Sequence, residues 1–342
     1  MRYKLLGRSG LRVSELCLGT MTFGEEWGWG SSNEESKKVF DAFANAGGNF
    51  IDTANRYTEG TSEKYVGEFI SSDRNHFVLA TKFTLKTKSN DPNYAGNHRK
   101  NMMNALNESL KRLNIDYIDL YYLHAWDYTT PEDEVLRALD DMIRAGKIHY
   151  IGISDTPAWI VSRMNAIAEL RGWTQFAALQ IKYSLLERTV ERELLPMARH
   201  LDMAVVPWAV IGGGILTGKY NKNKNEQGRA KQNNAIKEES LKVAEEVIKV
   251  ADEIGCLPSQ VAINWVRQQP GLIIPIIGAK TENQLKENLD CLNYKLNEDQ
   301  LNKLNEISKI KLGFPHEFLT SENIRDIVYG GSYDLIDNHH KK

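Results

Sequence analysis

The chain has few of the features that mark secreted, metal-binding or membrane-embedded proteins. It has three cysteines in 342 residues, Cys17, Cys256 and Cys291. Their wide spacing fits neither a disulfide framework nor a zinc site, so we expect no bound metal and reduced thiols. No apolar stretch approaches the roughly 20 residues of a membrane span, and the short polar N-terminus does not resemble a signal peptide. The sequence therefore predicts a cytoplasmic protein without membrane contact.

The chain also lacks an excess of charge and a glycine-rich nucleotide fingerprint. Its formal net charge is −2, so bulk electrostatics give no indication of nucleic-acid binding. The turn after the first predicted strand reads Gly-Thr-Met-Thr-Phe-Gly over 19–24, which does not match G-x-G-x-x-G. This absence argues against an open doubly wound sheet.

Short β-branched runs alternate with segments that have apolar residues at helical spacing. One such helical stripe is Leu136, Leu139 and Met142. Eight strands, each followed by a helix, predict an α/β fold of the (β/α)8 TIM-barrel type in a single domain covering 1–342. The eight predicted strands are 16–19, 49–53, 77–82, 117–123, 149–153, 177–183, 203–209 and 272–278.

Three additions to this barrel are predicted. Residues 2–14 read as an N-terminal β-hairpin that plugs the bottom of a barrel formed by about 15–310. Residues 212–236 form a long polar loop after strand 7, and a loop of this length is usually a lid or a disordered segment. The C-terminal tail, 311–342, is predicted to be irregular and to pack across the barrel mouth.

Four polar residues stand at, or just after, the ends of consecutive predicted strands: Asp52, Tyr57, Lys82 and His124. Each alone has an ordinary explanation, such as a turn carboxylate, a packed ring, a solvated lysine or a buried histidine. In a (β/α)8 barrel, however, the active site lies at the C-terminal ends of the strands. We therefore expect the four side chains to meet at one mouth.

These four residue types suit proton transfer to a carbonyl oxygen. A phenol with an ordinary pKa near ~10 is a poor acid at neutral pH, and a nearby ammonium lowers that pKa. Asp52 would pair with Lys82, His124 would orient the carbonyl, and Tyr57 would donate the proton. The set is equipped to reduce a carbonyl if another group delivers hydride.

Ordered motifs over about 1–310 resemble the aldo-keto reductase family, in particular its aryl-alcohol dehydrogenase and potassium-channel β-subunit branches. Residues 52–57 read Asp-Thr-Ala-Asn-Arg-Tyr, similar to D-T-A-x-x-Y. Residues 123–127, Leu-His-Ala-Trp-Asp, precede Thr-Pro at 130–131, and 146–154 read Gly-Lys-Ile-His-Tyr-Ile-Gly-Ile-Ser. Residues 274–280, Ile-Pro-Ile-Ile-Gly-Ala-Lys, resemble the strand 8 cofactor segment.

This resemblance implies a (β/α)8 fold, the catalytic tetrad of Asp52, Tyr57, Lys82 and His124, and a nicotinamide cofactor. The expected cofactor is NADP(H), with NAD(H) left open, and the expected partner is a small-molecule carbonyl substrate. The oligomeric state is left undetermined. By resemblance, the cofactor residues are Ser154, Asp155 and Gln180 at the carboxamide, Trp208 under the nicotinamide ring, Gly212, Leu216 and Lys219 at the pyrophosphate, and Gly278, Lys280, Gln284 and Asn288 around the adenosine and its 2′-phosphate.

Four residues depart from the family pattern. Asp155 replaces a common asparagine, and a carboxylate donates no hydrogen bond unless it is protonated. Trp208 replaces a tyrosine or phenylalanine, and it can still stack. Lys280 replaces an arginine and would bind phosphate as a point charge without a planar fork, which predicts a softer preference for NADP. His149 replaces an arginine without an evident consequence.

Aromatic residues near the predicted strand ends favour an apolar or aryl substrate over a sugar. They are Trp27, Trp29, Trp126 and Tyr128. The leading hypothesis is an NADP-dependent aldehyde or ketone reductase. A redox-sensing regulatory subunit with slow turnover is the alternative, and a Schiff-base lyase using Lys82 is a third, disfavoured because Asp52 keeps the amine charged.

Overall fold

In the computed structural model, which describes residues 1–223, 226, 228–232 and 234–338, eight parallel strands form a barrel. The strands are β3 Cys17–Gly19, β4 Phe50–Asp52, β5 Val78–Phe83, β6 Ile118–Leu123, β7 Ile148–Ser154, β8 Ala178–Lys182, β9 Ala204–Trp208 and β10 Ile276–Gly278. Their order in the sheet is β10-β3-β4-β5-β6-β7-β8-β9, and a parallel bridge between Val205 and Ile273 joins β9 to the segment before β10. All eight predicted strands are present, so the (β/α)8 prediction is confirmed.

The predicted N-terminal hairpin is present and closes the bottom of the barrel. Strands β1 (Tyr3–Leu5) and β2 (Arg12–Ser14) pair antiparallel. Leu6 and Val13 are fully buried and join the residues that fill the barrel interior. Gly7, in the turn, has φ 57°, and a Cβ there would lie 2.4 Å from the carbonyl oxygen of Ala177, just before β8. The turn therefore fits closely under the strands only because that residue has no side chain.

Helices surround the barrel, and most of them bury an apolar face against it. On α4, Leu136, Leu139 and Met142 are buried against the strands, as the predicted helical stripe requires. The helices are α1 Asn33–Asn45, α2 Thr61–Ile70, α3 Arg99–Leu113, α4 Glu132–Arg144, α5 Ala158–Arg171, α6 Leu194–His200, α7 Lys219–Lys222, α8 Arg229–Gln232, α9 Glu238–Ile254, α10 Pro258–Arg267, α11 Glu282–Leu289, α12 Glu298–Ile307, α13 His316–Thr320 and α14 Glu322–Tyr329. Among the residues the structure describes, none of these helices is long and apolar enough to cross a membrane.

The two peripheral segments are more regular than predicted. The long loop after β9 contains a 3-10 turn at Gly212–Thr217 and the short helices α7 and α8. Residues 224, 225, 227 and 233 of the predicted lid lie outside the described residues. The tail was predicted to be irregular, but it forms α13 and α14. Its apolar side chains repeat at helical spacing, which explains the helices. The side chains of Ile327 and Val328 are nevertheless 65% and 63% exposed, so the described part of the chain does not bury these two residues.

Candidate active site

The four predicted catalytic residues lie at one end of the barrel. Asp52 is the last residue of β4, Lys82 the penultimate residue of β5, and His124 directly follows β6. Tyr57 begins a 3-10 turn, Tyr57–Gly60, between β4 and α2. Because parallel neighbouring strands end at the same edge, the three strand-borne residues are brought side by side.

Lys82 is the centre of this group. It is fully buried, and its Nζ donates to Asp52 Oδ2 at 2.6 Å, to the Thr53 carbonyl oxygen at 2.8 Å and to the Tyr57 hydroxyl oxygen at 3.1 Å. These are all three hydrogens that an ammonium carries. The Tyr57 oxygen therefore accepts from Lys82, and its own hydrogen remains available for donation to another group.

Asp52 has a partner for each carboxylate oxygen. Oδ2 accepts from Lys82, and Oδ1 accepts from the Gln180 side-chain amide at 2.8 Å. Burial opposes the charge on Lys82, but Asp52 and Tyr57 together raise the pKa of Lys82 above its ordinary value. The amine is accordingly a stable cation at neutral pH, which does not suit a Schiff-base nucleophile.

The Tyr57 phenol differs from the sequence prediction in its ionisation. We expected the neighbouring ammonium to lower its pKa. Burial raises the pKa more than Lys82 lowers it, so the net shift is upward. The expected effect of Lys82 has the right sign, but desolvation of a phenolate in the barrel mouth is larger. Tyr57 is therefore protonated at neutral pH and can serve as a proton donor.

His124 is a neutral imidazole. Its ring centroid lies 6.0 Å from that of Tyr57 in an edge-on arrangement. Burial, with a further contribution from Lys82, lowers the pKa of His124 to about 3. Its Nδ1 is buried, with no hydrogen-bond partner among the residues that the structure describes. An uncharged ring nitrogen can hydrogen-bond a carbonyl group but does not supply an acidic proton.

Beside this group, the ends of β7 and β8 present polar atoms that fit a nicotinamide carboxamide. Ser154 pairs with Gln180 across the two strands. The Ser154 hydroxyl is buried and, among the described residues, has no hydrogen-bond partner. The Gln180 side-chain nitrogen uses one of its two hydrogens on Asp52, and its amide oxygen can accept from an external donor. One donor and one acceptor are thus offered to an amide ligand.

Asp155 and Trp208, which both depart from the family pattern, form a pair. The indole Nε1 of Trp208 donates to Asp155 Oδ1 at 3.3 Å. Burial raises the pKa of the Asp155 carboxyl, although Trp208 and Lys82 act in the opposite direction. A phenylalanine at 208 could not make this bond, and tyrosine has its donor elsewhere. The carboxylate therefore holds the aromatic ring that is expected beneath the nicotinamide.

The predicted phosphate-binding residues lie at the ends of β9 and β10. Gly212, Gly213 and Gly214 have φ of 59°, 65° and 93°, which suit a backbone that approaches a ligand closely. Leu216 is buried behind them, and Lys219 begins α7.

Gly278 ends β10, and its carbonyl oxygen accepts from Asn288 at 3.4 Å. The Lys280 backbone is held on both sides, by Gln284 Oε1 on its N–H at 3.0 Å and by the Ser31 hydroxyl on its carbonyl oxygen at 2.8 Å. The Lys280 side chain is thereby placed at the entrance to α11.

The predicted aromatic residues divide into two groups. Trp27 and Trp29 lie in the loop after β3 with ring centroids 5.6 Å apart. Trp27 contacts the Tyr57 turn through Glu59, and the Lys280 ammonium lies 5.9 Å from the Trp29 ring centroid. Trp126 is half-buried against the outer core, and Tyr128 is 71% exposed. The tryptophan pair therefore spans the distance from the Tyr57 turn to Lys280.

His149, whose consequence was unpredicted, lies away from this mouth. It is the second residue of β7, and its ring stacks on Tyr117 with centroids 4.5 Å apart. Tyr117 precedes β6 at the opposite end of the barrel from His124. The change at 149 therefore bears on packing at the bottom of the barrel.

Two threonines at the mouth escaped the sequence prediction. Thr58 and Thr84 have φ of 44° and 90°, and such values are rare for β-branched residues. The Thr84 hydroxyl donates to Asn97 at 2.7 Å and accepts from the His124 backbone N–H at 3.2 Å. A threonine in a loop carries no sequence signal for this conformation, so only the structure identifies them.

Comparison with known proteins gives a consistent result. Residues 15–309 match the model of the aldo/keto reductase family. The chain is 35% identical to "Aryl-alcohol dehydrogenase [NADP(+)]" of Phanerodontia chrysosporium, covering 95% of this chain and 91% of that protein. It is 35% identical to "Norsolorinic acid reductase" of Aspergillus flavus, covering 92% and 83%, and 34% identical to "Aldo-keto reductase ausK" of Aspergillus calidoustus, covering 93% and 85%.

Proposed function

Because this chain belongs to the aldo/keto reductase family, an oxidoreductase family, we propose that it reduces an apolar or aryl aldehyde or ketone to the alcohol with NADPH. Tyr57 is the proton donor in this proposal. The observation that carries it is the hydrogen-bonded chain from Gln180 through Asp52 and Lys82 to the Tyr57 hydroxyl. The Lys82 ammonium uses all three of its hydrogens within the site, which leaves the phenolic hydrogen of Tyr57 to donate to the substrate.

The proposed proton transfer follows from this chain. The carbonyl oxygen accepts a hydrogen bond from the Tyr57 hydroxyl while His124, neutral because its pKa is about 3, orients the same oxygen. As negative charge builds on that oxygen, the phenolic proton moves to it, and the Lys82 ammonium stabilises the phenolate that remains. Hydride delivery to the carbonyl carbon is the chemistry that a nicotinamide cofactor would supply when bound.

The cofactor and substrate class rest on the residues around this chain. Ser154 and Gln180 would hold the carboxamide, and Trp208, fixed by Asp155, would lie against the nicotinamide ring. The glycines at 212–214 with Leu216 and Lys219 would cover the pyrophosphate. Gly278, Lys280, Gln284 and Asn288 would surround the adenosine and its 2′-phosphate. Relatives named aryl-alcohol dehydrogenase and norsolorinic acid reductase support an aryl carbonyl, as do the aromatic residues at the mouth.

A substrate panel tests the proposal. Aryl aldehydes, aliphatic aldehydes, ketones and sugars are each supplied with NADPH or NADH, and loss of reduced-nicotinamide absorbance is followed. Aryl aldehydes with NADPH should give the highest kcat/KM. Tyr57→Phe should reduce kcat by about 10²–10⁴ and leave cofactor affinity near that of the wild type, whereas Tyr65→Phe on α2 should leave kcat unchanged.

The same panel distinguishes the regulatory alternative. A subunit that senses redox state would bind NADPH tightly but turn over every carbonyl slowly, with Tyr57→Phe making little difference. A wild-type kcat retained by Tyr57→Phe on a good substrate would reject Tyr57 as the proton donor.

A further inference from the structure

The turn that carries Tyr57 has an unusual backbone. Thr58 has φ 44° and ψ 48°, and Glu59 has φ 55° and ψ 28°. This left-handed conformation is unfavourable for threonine because its branched Cβ crowds the backbone. Strained residues persist only where surrounding contacts hold them, and they concentrate at functional sites. Thr58 directly follows the proposed proton donor, so its conformation bears on the position of that donor.

The Thr58 hydroxyl ties the turn to two other elements. Thr58 is 1% exposed. Its hydroxyl donates to the Phe23 carbonyl oxygen at 2.5 Å and accepts from the Ser62 backbone N–H at 3.2 Å. Ser62 lies in the first turn of α2, where backbone N–H groups have no partner within the helix. The residue at the N-cap is Gly60, which has no side chain to offer.

Thr61 is a residue type that often caps a helix, yet α2 begins at Thr61, so Thr61 is not the N-cap. An oxygen that accepts from the start of the helix comes instead from Thr58, within the strained turn.

Thr58 is also packed on a third side. Gly24, in the loop after β3, has φ 111°, and a Cβ built there would lie 2.8 Å from Cβ and from Oγ1 of Thr58. The backbone of that loop therefore closes against the threonine. The turn cannot shift without moving the loop that carries Trp27, or the start of α2.

We propose that Thr58 is a positioning residue that holds the Tyr57 hydroxyl against Lys82, and that its hydroxyl group, more than its methyl group, is responsible. This inference rests on the proposed role of Tyr57. The Tyr57 oxygen lies 3.1 Å from Lys82 Nζ. Thr58, the anchored residue, directly follows Tyr57 in the chain, so its position fixes the backbone that carries the phenol. Loss of the anchor lets the turn relax and moves the phenol away from both lysine and substrate.

The test compares three substitutions. Thr58→Ser keeps the hydroxyl and should retain a kcat near that of the wild type. Thr58→Val keeps the shape but loses both hydrogen bonds, and kcat should fall by roughly 10- to 100-fold, the effect of a small misplacement of a reacting group. Thr58→Gly adopts the left-handed conformation without strain, so it should fold readily and still lose kcat. KM for the carbonyl and Kd for NADPH should change little in all three.

The split between kcat and KM separates positioning from general damage. A misplaced phenol slows proton transfer, so kcat should fall in Thr58→Val while KM and Kd for NADPH hold, and Thr58→Ser should restore kcat. The matched control is Thr61→Val, which removes a hydroxyl bonded to Glu26 at the surface and should leave kcat unchanged. Wild-type kcat in both Thr58→Val and Thr58→Gly would overturn the inference, as would an equal loss in Thr58→Ser. A wild-type protein that reduces no carbonyl would instead overturn the proposed function.

Discussion

Replacing Lys82 by methionine should damage both stability and activity, because it leaves a buried carboxylate without its counter-ion. The methionine side chain fills similar space but leaves Asp52 buried, at 2% exposure, with Gln180 as its remaining side-chain partner. Removing one partner of a buried ion pair typically costs about 3–5 kcal/mol, because the other charge is left uncompensated. The variant should therefore lose about that much free energy of unfolding at neutral pH.

The charge left on Asp52, and not the lost volume of the lysine, should account for this cost. Asp52→Asn added to Lys82→Met replaces that carboxylate with a neutral amide of similar shape. The double variant should therefore recover most of the lost free energy of unfolding. Its kcat should stay low, because the ammonium beside Tyr57 is still missing.

Urea unfolding followed by tryptophan fluorescence measures the effect in each variant. The exposed Lys147→Met serves as the control and should be near neutral. If the double variant were as unstable as Lys82→Met, the argument that a lone buried carboxylate causes the loss would be refuted.

Three further predictions concern the cofactor and the pH profile. Lys280→Ala should raise Kd for NADPH by roughly tenfold or more, the equivalent of ~1.5–3 kcal/mol for a charged hydrogen bond, with little effect on NADH; equal weakening of both in a fluorescence titration would show that Lys280 does not contact the 2′-phosphate. Trp208→Phe should weaken NADPH binding, and Asp155→Asn added to it should have less effect than Asp155→Asn alone, because the bond between the two residues is already lost; additive Kd changes would contradict the pairing. Because the pKa of His124 is lowered to about 3, kcat/KM should show no inflection from it between about pH 5 and 8. The lowered pKa also means that burying His124 stabilises the fold fully only above its unfolded pKa of ~6.5. This stabilisation is lost as pH falls from there toward 3. His124→Gln should therefore flatten the curve of unfolding free energy against pH in this range, and the exposed His200→Gln should not.

The barrel itself was predictable because its determinants are local and repeated. Eight short β-branched runs separated by amphipathic segments leave few other arrangements that bury their apolar faces. The polar residues at the strand ends were predictable for the same reason, since a parallel barrel brings Asp52, Lys82 and His124 to one mouth. The prediction of an irregular tail was wrong, because the apolar residues of the tail repeat at a spacing that indicates helices.

What the sequence alone determined is therefore the fold, the family and the positions of the side chains proposed to react, since these depend on periodicity and on residue type at strand ends. The tertiary structure decided the balance of forces on each group. The sign of the Tyr57 pKa shift depends on burial against the charge of Lys82, and the pairing of Asp155 with Trp208 depends on a distance between strands. The anchoring of Thr58 requires contacts from two elements distant in the chain. The balance of burial and charge at one side chain, and contacts between distant elements, are not encoded in any local pattern, so only the folded arrangement of the residues reveals them.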